Sequence, residues 1–375
     1  MLPEKYPHKE VEQREKTEKR RFPHLLAVKI HQLEATGEVR HPTPKNKEED
    51  KKRIMKKCPK VFDGECRPMN GPPCHFVLKD GAILVAMRGS RPVAVPIMPK
   101  LKEERDTLEE QGIIEQVTKP TAWVHPIVLV PKKKCSTRLC VDFRNLNKSI
   151  IRPTFETITP FQAVRTIPPG MKFFTVVDAL KGYHQVPLVE ESADLTTFST
   201  PMGRYRYRRL PFGITHAGDD YCRRIAEVFD TIPNSRRVVE DILVFSESYD
   251  KHVKLVLTLI SRAEKHGVAL NQSEMVFVEQ EVKFGGYIVG EEGFRPDPEL
   301  TEAIRDFPTP LNVTDLRSFF GLCQQVGNFS NQIAKELELL APVSVGMNDI
   351  PRRGVQEGAG KAVGGTGFSI LRSSP

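Results

Sequence analysis

Arg236-Arg237-Val238-Val239-Glu240-Asp241-Ile242-Leu243-Val244-Phe245 sets two adjacent carboxylates between apolar runs. The pattern predicts strand, turn, strand, with the acids at the tip. A merely solvated hairpin turn favours Asn-Gly or Asp-Gly, so Glu240-Asp241 reads as a pair aimed at a cation. Upstream, Phe173-Phe174-Thr175-Val176-Val177 predicts a buried strand that ends in Asp178. Two strands that each end in acid can gather Asp178, Glu240 and Asp241 around hard, oxygen-seeking ions such as magnesium. That arrangement suits in-line phosphoryl transfer. Asp219-Asp220 is the one Asp-Asp pair, but it follows Ala217-Gly218 and enters a helical pattern. Acids in a first helical turn are favoured by the macrodipole, so this pair is set aside.

The flanking segments alternate in character. Residues 124–130 and 138–143 predict strands, and residues 204–209 alternate Arg and Tyr at strand period. Residues 100–111 predict a helix stopped by Gly112, and residues 214–229 a second. Residues 251–266 predict a third, with Val253, Leu257 and Ile260 on one face and Gly267 as its stop. Strands and helices in this mixed order point to an α+β domain of about 180 residues rather than a doubly wound parallel sheet.

Composition sets outer bounds. The chain has 375 residues, 39% hydrophobic and 28% charged, with a net charge of +8. Sixteen Lys and Arg against ten Asp and Glu lie in residues 1–57, so most of the excess is at that end. Such a balance fits a phosphate-bearing partner or a solvated tail. Residues 1–57 are therefore expected to be mostly disordered, with one helix near 24–34. Residues 346–375 hold seven glycines and few apolar side chains, and are expected to be disordered too. No apolar run reaches membrane-spanning length, and the N-terminus has no apolar core of a secretory signal. Seven cysteines are scattered along the chain. Cys58, Cys66, Cys74 and His75 are too widely spaced for a usual zinc ribbon, so free thiols are expected and zinc binding is the minor alternative.

Residues 113–290 resemble the reverse transcriptase of gypsy-type long-terminal-repeat retrotransposon Pol polyproteins. The motifs are Trp123-Val124-His125-Pro126-Ile127-Val128, Val141-Asp142-Phe143-Arg144-Asn145-Leu146-Asn147-Lys148, Val177-Asp178 leading to Gly182-Tyr183, Leu210-Pro211-Phe212-Gly213, Glu240-Asp241-Ile242-Leu243-Val244, and Phe284-Gly285-Gly286-Tyr287. Weaker similarity runs from Pro59-Lys60-Val61-Phe62 to Leu316-Arg317-Ser318-Phe319-Phe320-Gly321-Leu322.

The resemblance implies a right-hand polymerase fold of fingers, palm and partial thumb, with a ferredoxin-like palm. Its layout would be a basic N-terminal segment at 1–57, an N-terminal extension at 58–112, fingers and palm at 113–290, thumb and start of connection at 291–345, and a glycine-rich tail at 346–375. It implies an RNA-directed DNA polymerase that takes an RNA or DNA template, a primer and deoxynucleoside triphosphates, with magnesium or manganese. Asp178, Glu240 and Asp241 would be the metal ligands. Lys133 and Arg138 would hold the triphosphate, and Tyr183 would act as the steric gate against a ribose 2′-hydroxyl. Phe212 and Gly213 would lie under the incoming nucleotide. Arg204, Arg206 and Arg208 would share a strand face toward template phosphates, and Phe284, Gly285, Gly286 and Tyr287 would form the primer grip. Two residues depart from the family: Glu240 stands where an aspartate is usual, and Glu274 where lysine is common. The chain ends before any ribonuclease H or integrase pattern. Its glycine-rich tail is read as truncation or a shifted frame, with a non-catalytic nucleic-acid-binding remnant as the rival reading.

Overall fold

The computed structural model describes residues 42–131 and 137–329. They begin with α1 (Pro44–Lys57) and α2 (Met98–Glu110), followed by β1 (Ile114–Gln116), β2 (His125–Pro131), β3 (Thr137–Val141), α3 (Arg144–Ser149) and α4 (Pro160–Arg165). The central elements are β4 (Phe173–Asp178), α5 (Glu190–Leu195), β5 (Phe198–Thr200), β6 (Gly203–Tyr207), α6 (Thr215–Phe229), β7 (Ser235–Val238), β8 (Asp241–Ser246) and α7 (Tyr249–His266). Last come β9 (Val276–Glu279), β10 (Glu281–Phe284), β11 (Tyr287–Gly290), β12 (Gly293–Pro296), α8 (Pro298–Arg305) and α9 (Val313–Val326).

The palm sheet has the order β7-β8-β4-β9, antiparallel throughout. With α6 and α7 it makes the strand–helix–strand–strand–helix–strand pattern of a ferredoxin-like unit. The fingers sheet runs β1-β6-β5-β2-β3, and a third sheet runs β10-β11-β12. The expected α+β class and polymerase fold are what the chain adopts, with α8 and α9 following the third sheet.

The apolar run around the acidic tip has a physical cause. Val177, Ile242 and Val244 face one core, with Ile225, Val228 and Phe229 of α6 and Val253, Val256 and Ile260 of α7. Their neighbours Phe174, Val176, Leu243 and Phe245 face a second core, with Ala163 and Val164 of α4 and Val282, Phe284 and Tyr287 of the β10–β11 hairpin. A strand buried on both faces reads as continuous rather than alternating hydrophobicity. Truncating one of these side chains, Leu243→Ala for instance, removes about 2–5 kcal/mol. The one polar side chain inside β4, Thr175, is satisfied: its hydroxyl lies 2.7 Å from His252 Nε2 and accepts from the Val278 amide at 3.0 Å.

The boundary expected at residue 57 needs correction. Residues 44–57 form a helix, with Thr43 as its N-cap, Pro44 in its first turn, and Lys56 and Lys57 in its last. Asp50 and Ile54 are buried; the Tyr249 hydroxyl donates to Asp50 at 2.9 Å and Lys47 pairs with Glu279 at 3.0 Å. Charged composition hid one apolar residue per two turns, which suffices when the polar ones are paired. The helix expected at 24–34 and the expected disorder of 1–41 and 346–375 lie outside the described residues.

Candidate active site

Asp178 ends β4 and Asp241 begins β8, and the two are direct cross-strand partners. Like charges placed opposite one another destabilise a sheet, so this pairing signals a use other than stability. The loop between β7 and β8 is Val239-Glu240 alone. Val239 has φ 52°, a left-handed conformation that strains a β-branched residue by about 1–3 kcal/mol. Its neighbour Val238 holds the hairpin from below, inside the second core and 3.6 Å from where a β-carbon on Gly285 would stand.

A fourth carboxylate joins them. Glu274, on the 3-10 turn Gln272–Glu274, hydrogen-bonds the Asp178 carboxyl. Burial, then the Asp241, Glu274 and Glu240 carboxylates, push Asp178 up to about 7. Burial and Asp241 also raise Glu240, against the opposing pull of the Tyr183 amide and the Arg138 guanidinium. Burial and Glu274 raise Asp241, while a hydrogen bond with Asp178 lowers it. None of the four is ion-paired with Lys or Arg among the described residues. Asp178, Glu240 and Asp241 are not drawn together so that their ligand atoms all lie within 4.8 Å of one another. Asp178 meets Asp241 and Glu274, whereas Glu240 turns toward Gly182 and the Tyr183 amide. An all-oxygen donor set, raised carboxyl pKa values and a buried Glu240 Oε1 with no hydrogen-bond partner together fit a hard divalent cation.

Beside the acids opens a cleft of about 390 Å³, lined among others by Arg138, Asp178, Lys181, Phe212, Gly213, Glu240 and Glu274. Arg138 reaches it from β3, whereas Lys133 lies outside the described residues. Tyr183 is clamped between two rings: Phe212 at 4.8 Å and Tyr221 at 4.9 Å, the latter nearly parallel at 24°. Phe212 remains 42% exposed, a flat apolar face left open to the cleft. Gly213 has φ 88° and its carbonyl accepts from Asn147 Nδ2 at 2.8 Å. The loop under the cleft is thereby tied to α3.

Other expected residues fall differently. Arg206 is buried, and its guanidinium is caged by Glu115, Glu190 and Asp194. Arg208 pairs with Glu190 at 2.6 Å, and Arg204 donates to the Lys119 carbonyl at 3.0 Å. Of the arginines expected to meet template phosphates, Arg206 and Arg208 are thus paired with Glu115 of β1 and with α5, while Arg204 bonds a loop carbonyl. Phe284 and Tyr287 are also core side chains, so only the Gly285-Gly286 turn of the expected grip faces outward. Both glycines have positive φ, 59° and 87°, as a two-residue type I′ turn requires.

The first-turn position expected for Asp219 and Asp220 needs correction. They lie beyond the first turn of α6, and both are buried on arginines. Cys74, His216 and Asp220 bring potential ligand atoms within 4.8 Å of one another, a set that Cys58 and Cys66 do not join. Arg223 and Arg224 already occupy that aspartate, at 2.8 and 2.6 Å. Sequence reading missed Tyr221 as a partner of Tyr183 and left Glu274 outside the site. Only Glu274 carried a signal, its place where the family commonly has lysine.

The family model described as reverse transcriptase (RNA-dependent DNA polymerase) matches residues 130–289. A retrovirus-related Pol polyprotein from transposon opus of Drosophila melanogaster is 32% identical over 265 residues, covering 69% of this chain and 26% of the relative. The corresponding polyprotein from transposon gypsy of the same organism is 30% identical over 268 residues, covering 68% of this chain and 25% of the relative. The chain therefore spans about a quarter of the length of these relatives. Among solved structures, the foamy viral protease-reverse transcriptase in complex with double-stranded DNA superposes with a TM-score of 0.73 at 17% identity, over 89% of this chain and 58% of that one. The same kind of protein in complex with an RNA/DNA hybrid gives 0.68 at 18% identity, over 88% and 44%.

Proposed function

This chain is the reverse-transcriptase region of a gypsy-type retrotransposon Pol polyprotein, and from that premise we propose that it extends a primer with deoxynucleotides on an RNA or DNA template. The observation that carries the reading is the unpaired carboxylate cluster of Asp178, Glu240 and Asp241 at the mouth of the Arg138–Phe212 cleft. Asp178, Glu240 and Asp241 would hold magnesium or manganese. Bound there, such ions supply Lewis-acid stabilisation of the phosphoryl oxygens and of the attacking hydroxyl.

The protein's own groups do the rest. Arg138 presents a planar fork to triphosphate oxygens, with Lys133 as a second cation. Phe212 and Gly213 form the floor on which the nucleotide rests. Tyr183, fixed by Phe212 and Tyr221, would put its ring where a 2′-hydroxyl stands, so that deoxyribose is preferred. Gly285-Gly286, in contact range of the catalytic hairpin through Val238, would align the primer end; alignment of reacting atoms is worth orders of magnitude in rate.

A non-catalytic nucleic-acid-binding remnant is the alternative, favoured by Glu240 at the tip and by the extra charge of Glu274. Primer extension on an RNA template with a DNA primer, first with magnesium and then with manganese, separates the two. Extension by the wild-type chain that Asp178→Ala abolishes supports polymerase activity, and Tyr183→Ala should then raise ribonucleotide incorporation relative to deoxynucleotide. No extension with either ion selects the remnant.

A further inference from the structure

Two buried polar atoms beside the site lack hydrogen-bond partners, and they are chemically complementary. One is the hydroxyl of Tyr221, on a side chain 1% exposed; the other is Glu240 Oε1. Both flank the same gap above Gly182. A β-carbon added there would collide with the Tyr221 hydroxyl and stand 2.9 Å from Glu240 Oε1. A phenol is a donor at neutral pH and a carboxylate is an acceptor. A buried donor and a buried acceptor left apart each cost free energy, and joining them removes both costs.

We propose that Tyr221 is a positioning residue whose hydroxyl donates to Glu240 Oε1 across the space that Gly182 leaves open, fixing the glutamate arm in one orientation at the edge of the cation site. The reason lies in the length of the arm. Glutamate has one more rotatable bond than aspartate, and an untethered carboxylate at the turn samples positions that do not serve an ion. Tyr221 comes from α6, whose core-facing side anchors the ring, and the ring is stacked on Tyr183 at 4.9 Å. One side chain thus steadies both the gate and the ligand. The ring does the first task and the hydroxyl the second. Gly182 is the third part of the device, since any side chain there would fill the gap through which the two oxygens meet.

The proposal rests on the polymerase reading for the identity of the cation site, and it is tested without relying on turnover. Manganese alone is titrated into the full chain and free ion is followed by electron paramagnetic resonance. The proteins are wild type, Tyr221→Phe, Glu240→Asp and the double variant, with Asp178→Ala to identify the site. Tyr221→Phe keeps the ring and deletes only the hydroxyl, so it folds and its deoxyribose preference stays at the wild-type ratio. It should weaken manganese binding about tenfold, the scale of one hydrogen bond to a charged group. On the Glu240→Asp background the same change should have almost no effect, because the shorter arm does not reach the hydroxyl. Equal manganese binding by wild type and Tyr221→Phe overturns the proposal, as does an equal loss on both backgrounds. Wild-type failure to extend a primer, with this coupling intact, removes the polymerase reading and leaves the Tyr221–Glu240 pair standing.

Discussion

Asp219 and Asp220 are buried more deeply than Glu240 and Asp241, yet each has guanidinium groups on it. Arg152 bonds Asp219 at 2.5 Å, and Arg223 and Arg224 bond Asp220 at 2.8 and 2.6 Å. Burial pushes the Asp220 carboxyl up, but these arginines more than reverse it and the net shift is downward. Glu240 and Asp241 have instead Asp178 and Glu274 as neighbours, and their shifts are upward. The two pairs look alike in sequence and are opposite in electrostatics. Buried charge that the protein itself neutralises is structural; buried charge that it leaves in surplus is what a divalent cation would neutralise.

Removing one acid from each pair's surroundings should separate them most sharply. Asp178→Ala should lower primer extension by about a thousandfold or more, the scale of losing a group that stabilises developing charge, while circular dichroism stays native. Asp220→Ala should do the reverse. It leaves Arg224 buried and uncompensated, which costs about 3–5 kcal/mol of stability, read as a lower denaturant midpoint. If Asp220→Ala melts like wild type, the structural role given to that pair is wrong.

A milder exchange sharpens the contrast. Glu240→Asp shortens the arm and should reduce extension by about ten- to a hundredfold, since small displacements of a reacting group are costly. Asp219→Asn should leave extension per folded molecule at the wild-type level and lower the melting temperature instead. A rise in extension on Glu240→Asp would mean that the surrounding palm has not adapted to glutamate.

The smallest effect is on stability against pH. The folded Asp178 carboxyl keeps its proton up to about 7, against 3.8 for an unperturbed one. This one carboxyl therefore binds more proton in the metal-free folded chain than in the unfolded one across that interval, and its own contribution to stability falls as pH rises through it. Asp178→Asn removes the penalty. Its advantage should be negligible below about pH 4 and complete above about pH 7. Because the group is half-buried and screened, the gain should be about 2–4 °C in melting temperature. Calorimetry of both proteins at pH 4 and pH 8 without divalent ions checks it; an advantage of Asp178→Asn over wild type that does not grow from pH 4 to pH 8 contradicts the sign.

Local chemistry settled a good deal about this protein in advance. The acids at strand ends, the helix stops at Gly112 and Gly267, and the Gly285-Gly286 turn follow from backbone preferences and periodicity that involve only near neighbours. The order of motifs carried the family and hence the right-hand fold. Tertiary structure alone decided which charges are spent. Arg206 and Arg208 read as part of a free basic face until Glu115, Glu190 and Asp194 close on them from separate segments. Asp219-Asp220 read as a helix-start pair until Arg152, far upstream, supplies a partner. Glu274 reads only as an acid where the family commonly has lysine until the turn after α7 brings it to Asp178. Coulomb energy depends on separation in space and on the medium between charges, and neither is a function of separation along the chain.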